Sequence, residues 1–265
     1  MKIKIKEYIK IGLAMSMSLA FAITALIFVN KLLEYKKLDD IYESVGSEVL
    51  DEVEKETTGV LGSIESTEEE KPYIPFEYNH EALLSINRDG IGYLYIEGLN
   101  LKLPLVQTTD NNYYLNHTFN LEENKGGCLF EDARINKGLY ADNIIIYGHN
   151  MKNGSMFGSL GKYSNYDFWN TDNNSIIYVF TGKLVRKYKV FSCYITPPSG
   201  DTFTYNFESV DELRNYAVAM KTKSQYDTGV DISEAEQILT LITCTNNSKQ
   251  RFIVHSVLIE EITIS

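Results

Sequence analysis

Cysteine and basic residues are both scarce in this chain, and each shortage removes a class of protein. Three cysteines (Cys128, Cys193 and Cys244) among 265 residues are too few and too odd in number for a disulfide scaffold. None stands in a C-x-x-C pair, no H-E-x-x-H occurs, and no cysteine lies at ligand spacing from a histidine, so no metal site reads from the sequence. The stretch GKYSNYD departs from the nucleotide-loop pattern, and G-x-S-x-G is absent. Lysine and arginine total 25 against 36 acids, a net charge of −11, which leaves no basic face for nucleic acid.

What the chain does have begins at its N-terminus. Ile11 to Val29 carries no charged side chain, close to the ~20 apolar residues a helix needs to cross a bilayer. Lys2, Lys4, Lys6 and Lys10 precede it, a bias that keeps the N-terminus inside the cell. The run ends in FVNKLLEYKK without a small-residue cleavage site, so it reads as an uncleaved anchor with everything beyond residue 30 outside. Residues 38–71 then hold twelve acids and two lysines, the composition of a solvated spacer whose first half also has some helical spacing. Three segments follow from this: a cytoplasmic tail and signal anchor over 1–30, an acidic stalk over 31–72, and one domain of ordinary size over 73–265.

The domain reads as mostly β. Eight candidate strands span Gly92–Ile96, Leu101–Val106, Gly127–Glu131, Asn143–Tyr147, Ser175–Thr181, Arg186–Ile195, Gln237–Thr243 and Phe252–Glu261. Each is rich in Ile, Val, Tyr, Phe and Thr and bounded by Gly, Asn or Asp, so a barrel or sandwich is expected. A short helix is expected around Asn79–Ile86. A longer one, between the sixth and seventh strands, opens with the capping box Ser209/Glu212 and repeats Val210, Leu213, Ala217 and Met220 on one face.

Chemistry points to the C-terminal end. Cys244 closes the apolar run ILTLIT, and Arg251 opens the next run after a six-residue polar loop. If these two runs pair antiparallel, thiol and guanidinium stand side by side at one rim. There the arginine could favour a thiolate or hold the oxyanion of an acyl intermediate. A cysteine nucleophile usually needs a histidine. His149 sits at a strand end after NIIIYG, while His255 lies inside the last strand with the same side-chain parity as Arg251; the residues alone leave both open.

TLITCTNNSKQR resembles the cysteine signature of the sortases, and YGHN resembles their histidine motif. YYLNHTFN, GGCLFED and YGHNMKNGSMFGSLGKY narrow the resemblance to class B, from about Tyr78 to the C-terminus. The resemblance implies an eight-stranded sortase-type β-barrel with N-terminal helices and a long helix between strands 6 and 7. It implies a Gram-positive cell-wall transpeptidase with Cys244 as nucleophile, His149 as catalytic histidine and Arg251 as catalytic arginine. Leu115, Asn111, Thr196, Tyr147 and Ile242 match groove or supporting positions; Ile242 departs from the Ser or Thr common in class B. The implied partners are surface proteins bearing an NPxTx-like sorting signal, a peptidoglycan amine or its lipid-linked precursor, and the cell membrane, with no metal or organic cofactor. An L,D-transpeptidase would show S-x-G-C-x-R instead, a pilin-polymerising sortase often carries a D-P-W-like lid, and a tethered binding module would bury Cys244.

Overall fold

The computed structural model describes residues 2–52, 73–171 and 173–264. The chain divides into two compact units, Met1–Asp40 and Ile41–Ser265. Most of the acidic spacer, 53–72, lies outside the described residues.

The first unit is helical, part of α1 (Lys2–Val49). Its apolar side chains, Leu13, Phe21 and Ile27 among them, are exposed. Among the described residues this is the one helix long and apolar enough to cross a membrane.

The second unit opens with the last turns of α1, where Tyr42, Val45 and Val49 are buried at i, i+3 and i+7. The Tyr42 hydroxyl donates to the Gly127 carbonyl. Strand β1 (Leu50–Glu52) then pairs antiparallel with β2 (Phe76–Tyr78). Residues 41–52, which the charge pattern assigns to the spacer, are therefore packed with the domain in this structure. The helical spacing in the first half of the acidic block is the stripe that does it.

After α2 (His80–Ile86), capped by the Asn79 side chain, eight strands close into a barrel. They are β3 (Gly90–Ile96), β4 (Leu101–Val106), β5 (Leu129–Glu131), β6 (Asn143–Tyr147), β7 (Ile176–Phe180), β8 (Leu184–Thr196), β9 (Ile238–Cys244) and β10 (Arg251–Thr263). The order around the barrel is β10-β8-β7-β3-β4-β5-β6-β9. The expected eight-stranded barrel is thus observed, with its long helix between the sixth and seventh barrel strands, β8 and β9.

Two pairings are parallel, β4 with β5 and β6 with β9. That explains the unbroken apolar runs: Ile144, Ile145 and Ile146 of β6 are all fully buried, as are Leu239 and Leu241 of β9. The long helix is α4 (Val210–Thr222). Ser209 caps it by accepting from the Glu212 amide, but Glu212 Oε2 reaches the Glu208 amide rather than closing the box on Ser209. Leu213, Ala217 and Met220 face the barrel together with Tyr216. Val210 does not; at the first helical position it is 47% exposed.

Candidate active site

Three strand ends converge. In the antiparallel β9–β10 pair, Arg251 stands opposite Cys244; in the parallel β6–β9 pair, Tyr147 stands opposite Ile242. The β6 chain continues through Gly148, whose amide donates to the Ile242 carbonyl (3.1 Å) while its carbonyl accepts from Thr243 Oγ1 (2.8 Å). Asn150 Nδ2 donates to the Cys244 carbonyl (2.7 Å), and the Phe157 amide donates to the His149 carbonyl (2.9 Å). These bonds hold the cysteine end of β9 and the histidine end of β6 on both sides. Side chains at such a rim are fixed by the barrel yet open to solvent, where reactive groups concentrate.

Cys244 is exposed, whereas Cys128 and Cys193 are buried. Burial pushes the Cys128 thiol up to about 12 and the Cys193 thiol to about 11, so neither is a thiolate near neutrality. His149 Nε2 lies 2.8 Å from the Leu115 carbonyl oxygen. A carbonyl only accepts, so Nε2 carries the proton in this contact and Nδ1 is the ring nitrogen left free of it. Among the described residues no hydrogen bond joins the Cys244 thiol to His149. Arg251 Nη1 donates to the Ser248 and Gln250 carbonyls, 2.9 Å each, bracing the guanidinium on the loop behind it.

Together with Asn111, Leu115, Phe130, Tyr147 and Ile242, these three residues line a groove of about 190 Å³. A second cavity of about 370 Å³ continues past Tyr147 and Arg251 toward Arg134, Gly200 and Phe203. A third, about 650 Å³, opens on the other side of Cys244 and His149, toward Asn150, Lys152 and Asn246. A larger cleft between α4 and residues 224–233, about 790 Å³, is lined by no cysteine or histidine. Of the expected groove residues, Leu115, Asn111, Tyr147 and Ile242 are present in the lining. Thr196 lies at the end of β8, opposite Arg251 in the β8–β10 register, and lines neither the groove nor its continuation.

His255 is far from this rim in chemistry as well as place. It is fully buried, with Nδ1 2.9 Å from Thr240 Oγ1 and Nε2 2.9 Å from the Tyr194 hydroxyl. Burial depresses its pKa to about 3, holding the ring neutral. The side-chain parity that leaves it open in the sequence gives its face, not its depth.

The sequence reading missed Asp132. Its carboxylate, fully buried, accepts from Arg134 Nε (2.9 Å) and Nη2 (2.6 Å), the Tyr147 hydroxyl (2.8 Å) and Asn111 Nδ2 (3.2 Å). Burial would raise its pKa, but these donors and the Arg134 amide outweigh it and bring it to about 2. The signal was the acid pair closing GGCLFED, at the end of an apolar strand.

Residues 94–259, more than half of the chain, match the family model described as Sortase domain. The chain belongs to the sortase family. Its relatives are of class B. It is 33% identical over 162 residues to Sortase B of Listeria monocytogenes, covering 61% of this chain and 65% of that protein. It is 30% identical over 165 residues to Sortase B of Staphylococcus aureus, covering 62% and 66%. In both cases the match spans just under two thirds of the relative's length. Among solved structures, sortase B from Bacillus anthracis in complex with AAEK1 superposes with TM-score 0.69 at 26% identity, covering 86% of this chain and 99% of that one. Clostridium perfringens sortase B gives 0.63 at 30%, covering 69% and 100%. The eight-stranded barrel is thus that of a class B sortase.

Proposed function

We propose that this sortase is a membrane-anchored cysteine transpeptidase that joins surface proteins to a cell-wall amine. The observation that carries the reading is the register placing Arg251 opposite Cys244, with His149 lining the same groove. The Cys244 thiolate attacks the carbonyl after the threonine of an NPxTx-like sorting signal. The C–N bond breaks, and the leaving amine takes a proton from His149. A primary amine of peptidoglycan or its precursor then attacks the thioester, returning a proton to His149 and releasing the thiolate. Arg251 holds the oxyanion in both halves with the N–H groups not braced on the loop. No step calls for a metal or an organic cofactor.

Leu115, Tyr147 and Ile242 form the walls against which the peptide lies. Ile242 offers no hydroxyl, so the peptide is held there by apolar contact and backbone. The apolar α1 segment spans the membrane, N-terminus inside, with the barrel on the outer side. The test is a library of quenched sorting peptides given to the full-length protein in detergent, with the cut bond read by mass spectrometry. Cleavage after threonine by the wild type, and none by Cys244→Ala, is expected. Unchanged cleavage by Cys244→Ala overturns the mechanism.

A further inference from the structure

Asn111 lines the groove, yet neither end of its amide faces an incoming peptide unpaired. Nδ2 donates to Asp132 Oδ1 (3.2 Å), and Oδ1 accepts from the Ala133 amide (2.7 Å). Both bonds tie the loop after β4 to the end of β5. The loop then makes one tight turn, Tyr113–Leu115, started by Asp110 Oδ1 accepting from the Asn112 (2.6 Å) and Tyr113 (2.9 Å) amides. That turn ends at the Leu115 carbonyl, the acceptor for His149 Nε2 at 2.8 Å.

The same carboxylate also holds the groove floor. Tyr147, two residues before His149, donates its hydroxyl to Asp132 Oδ2 at 2.8 Å. Arg134, which lines the continuing cavity, pairs with Asp132 through two nitrogens. One buried acid therefore fixes two groove residues and the arginine of the continuing cavity, and through Asn111 the peptide unit that orients the imidazole.

We propose that Asp132 is a positioning residue of the transpeptidation reaction. Through Asn111 and the Tyr113–Leu115 turn it sets the Leu115 carbonyl, which commits His149 to the Nε2–H tautomer and leaves Nδ1 to exchange protons on the groove side. A base needs a third group to orient it, and here a backbone carbonyl fills that place with a carboxylate behind it. The inference rests on the reading of His149 given above, but its geometry is testable without turnover. An imidazole displaced by about 1 Å can lose on the order of 10²-fold in rate. The same loss is not expected where Asn111 merely contacts peptide, which raises KM alone.

The experiment uses the full-length protein in detergent, labelled with ¹⁵N-histidine; the chain has four histidines, and His149→Gln assigns the signal. Ring ¹⁵N shifts report the tautomer. The wild type is expected as Nε2–H when neutral. Asp132→Asn and Asn111→Ala are each expected to give a tautomer mixture, with kcat reduced about 10–100-fold and the melting transition retained. If Asp132→Asn fails to fold, Asn111→Ala breaks the same connection one residue on and decides. Wild-type tautomer and kcat in a folded Asn111→Ala protein overturn the inference, as does an Nδ1–H wild type. If the tautomer shifts as expected but the wild type cleaves no sorting peptide, the positioning stands and the transpeptidase reading falls.

Discussion

At the scale of single residues, the distinction that matters for Arg251 is between a charge and a shaped donor. A positive neighbour that only favoured a thiolate could be a lysine. An oxyanion needs donors at fixed positions, and the planar guanidinium, braced by Ser248 and Gln250, has them where a flexible ammonium does not. Arg251→Lys should therefore lose most of the roughly 10²–10³-fold in kcat that one oxyanion donor is worth. Alkylation of Cys244 by iodoacetamide, which forms no oxyanion, should slow far less. Equal losses in the two rates would make the arginine a tuner of the thiol. The sequence shows which residues meet at this rim because strand ends are local: ILTLITC and RFIVHS name their own boundaries. It does not separate His149 from His255, because depth in a barrel depends on what packs outside the strand. Phe191, Tyr194 and Tyr216, whose rings pack around His255, are distant in the chain.

At the scale of elements, the site depends on how closely β6 runs past its neighbours. A Cβ on Gly148 would lie 2.4 Å from Leu129 Cδ2 and 2.6 Å from Phe157 Cδ2. Neither side chain is free to move, since both are fully buried. Gly148→Ala should push the end of β6, and His149 with it, away from β9. Overpacking of this kind typically costs about 1–3 kcal/mol, so a lower melting temperature is expected together with a fall in kcat/KM larger than the stability loss accounts for. Unchanged kinetics in the destabilised protein would show that His149 tolerates the shift. Strand existence was legible from the sequence for all eight barrel strands, because Val, Ile, Tyr and Thr runs between Gly and Asn turns have one physical reading. Their ends were not: β8 also takes in Leu184, Val185 and Thr196, and β10 takes in Arg251, Ile262 and Thr263, because the antiparallel β8–β10 ladder runs past the apolar centres of both runs. The β1–β2 ribbon was also missed, because three-residue strands carry too little pattern.

For the whole molecule, pH bears on stability through two neighbouring buried acids. Glu131, the neighbour of Asp132 in sequence, is fully buried, and neither carboxylate oxygen has a hydrogen-bond partner among the described residues. Burial, and then the Asp132 charge, raise its pKa to about 8. An unfolded glutamate ionises near 4.3. The native state is thus free of this penalty below about pH 4.3, and loses stability as pH rises through 8. Asp132, brought to about 2, acts with the opposite sign, adding stability above about pH 4 that is lost toward pH 2. Glu131→Gln should accordingly raise the melting temperature more at pH 9 than at pH 5; an equal shift at both would mean the carboxyl has found a partner. The account as a whole turns on one covalent bond. Full-length protein in detergent, mixed with an NPxTx-type peptide and no amine acceptor, should gain the mass of the acyl fragment, and digestion should place it on Cys244 as a hydroxylamine-labile thioester. Adding a primary amine should discharge it. An adduct on any other residue, or cleavage by Cys244→Ala at the wild-type rate, would contradict the account.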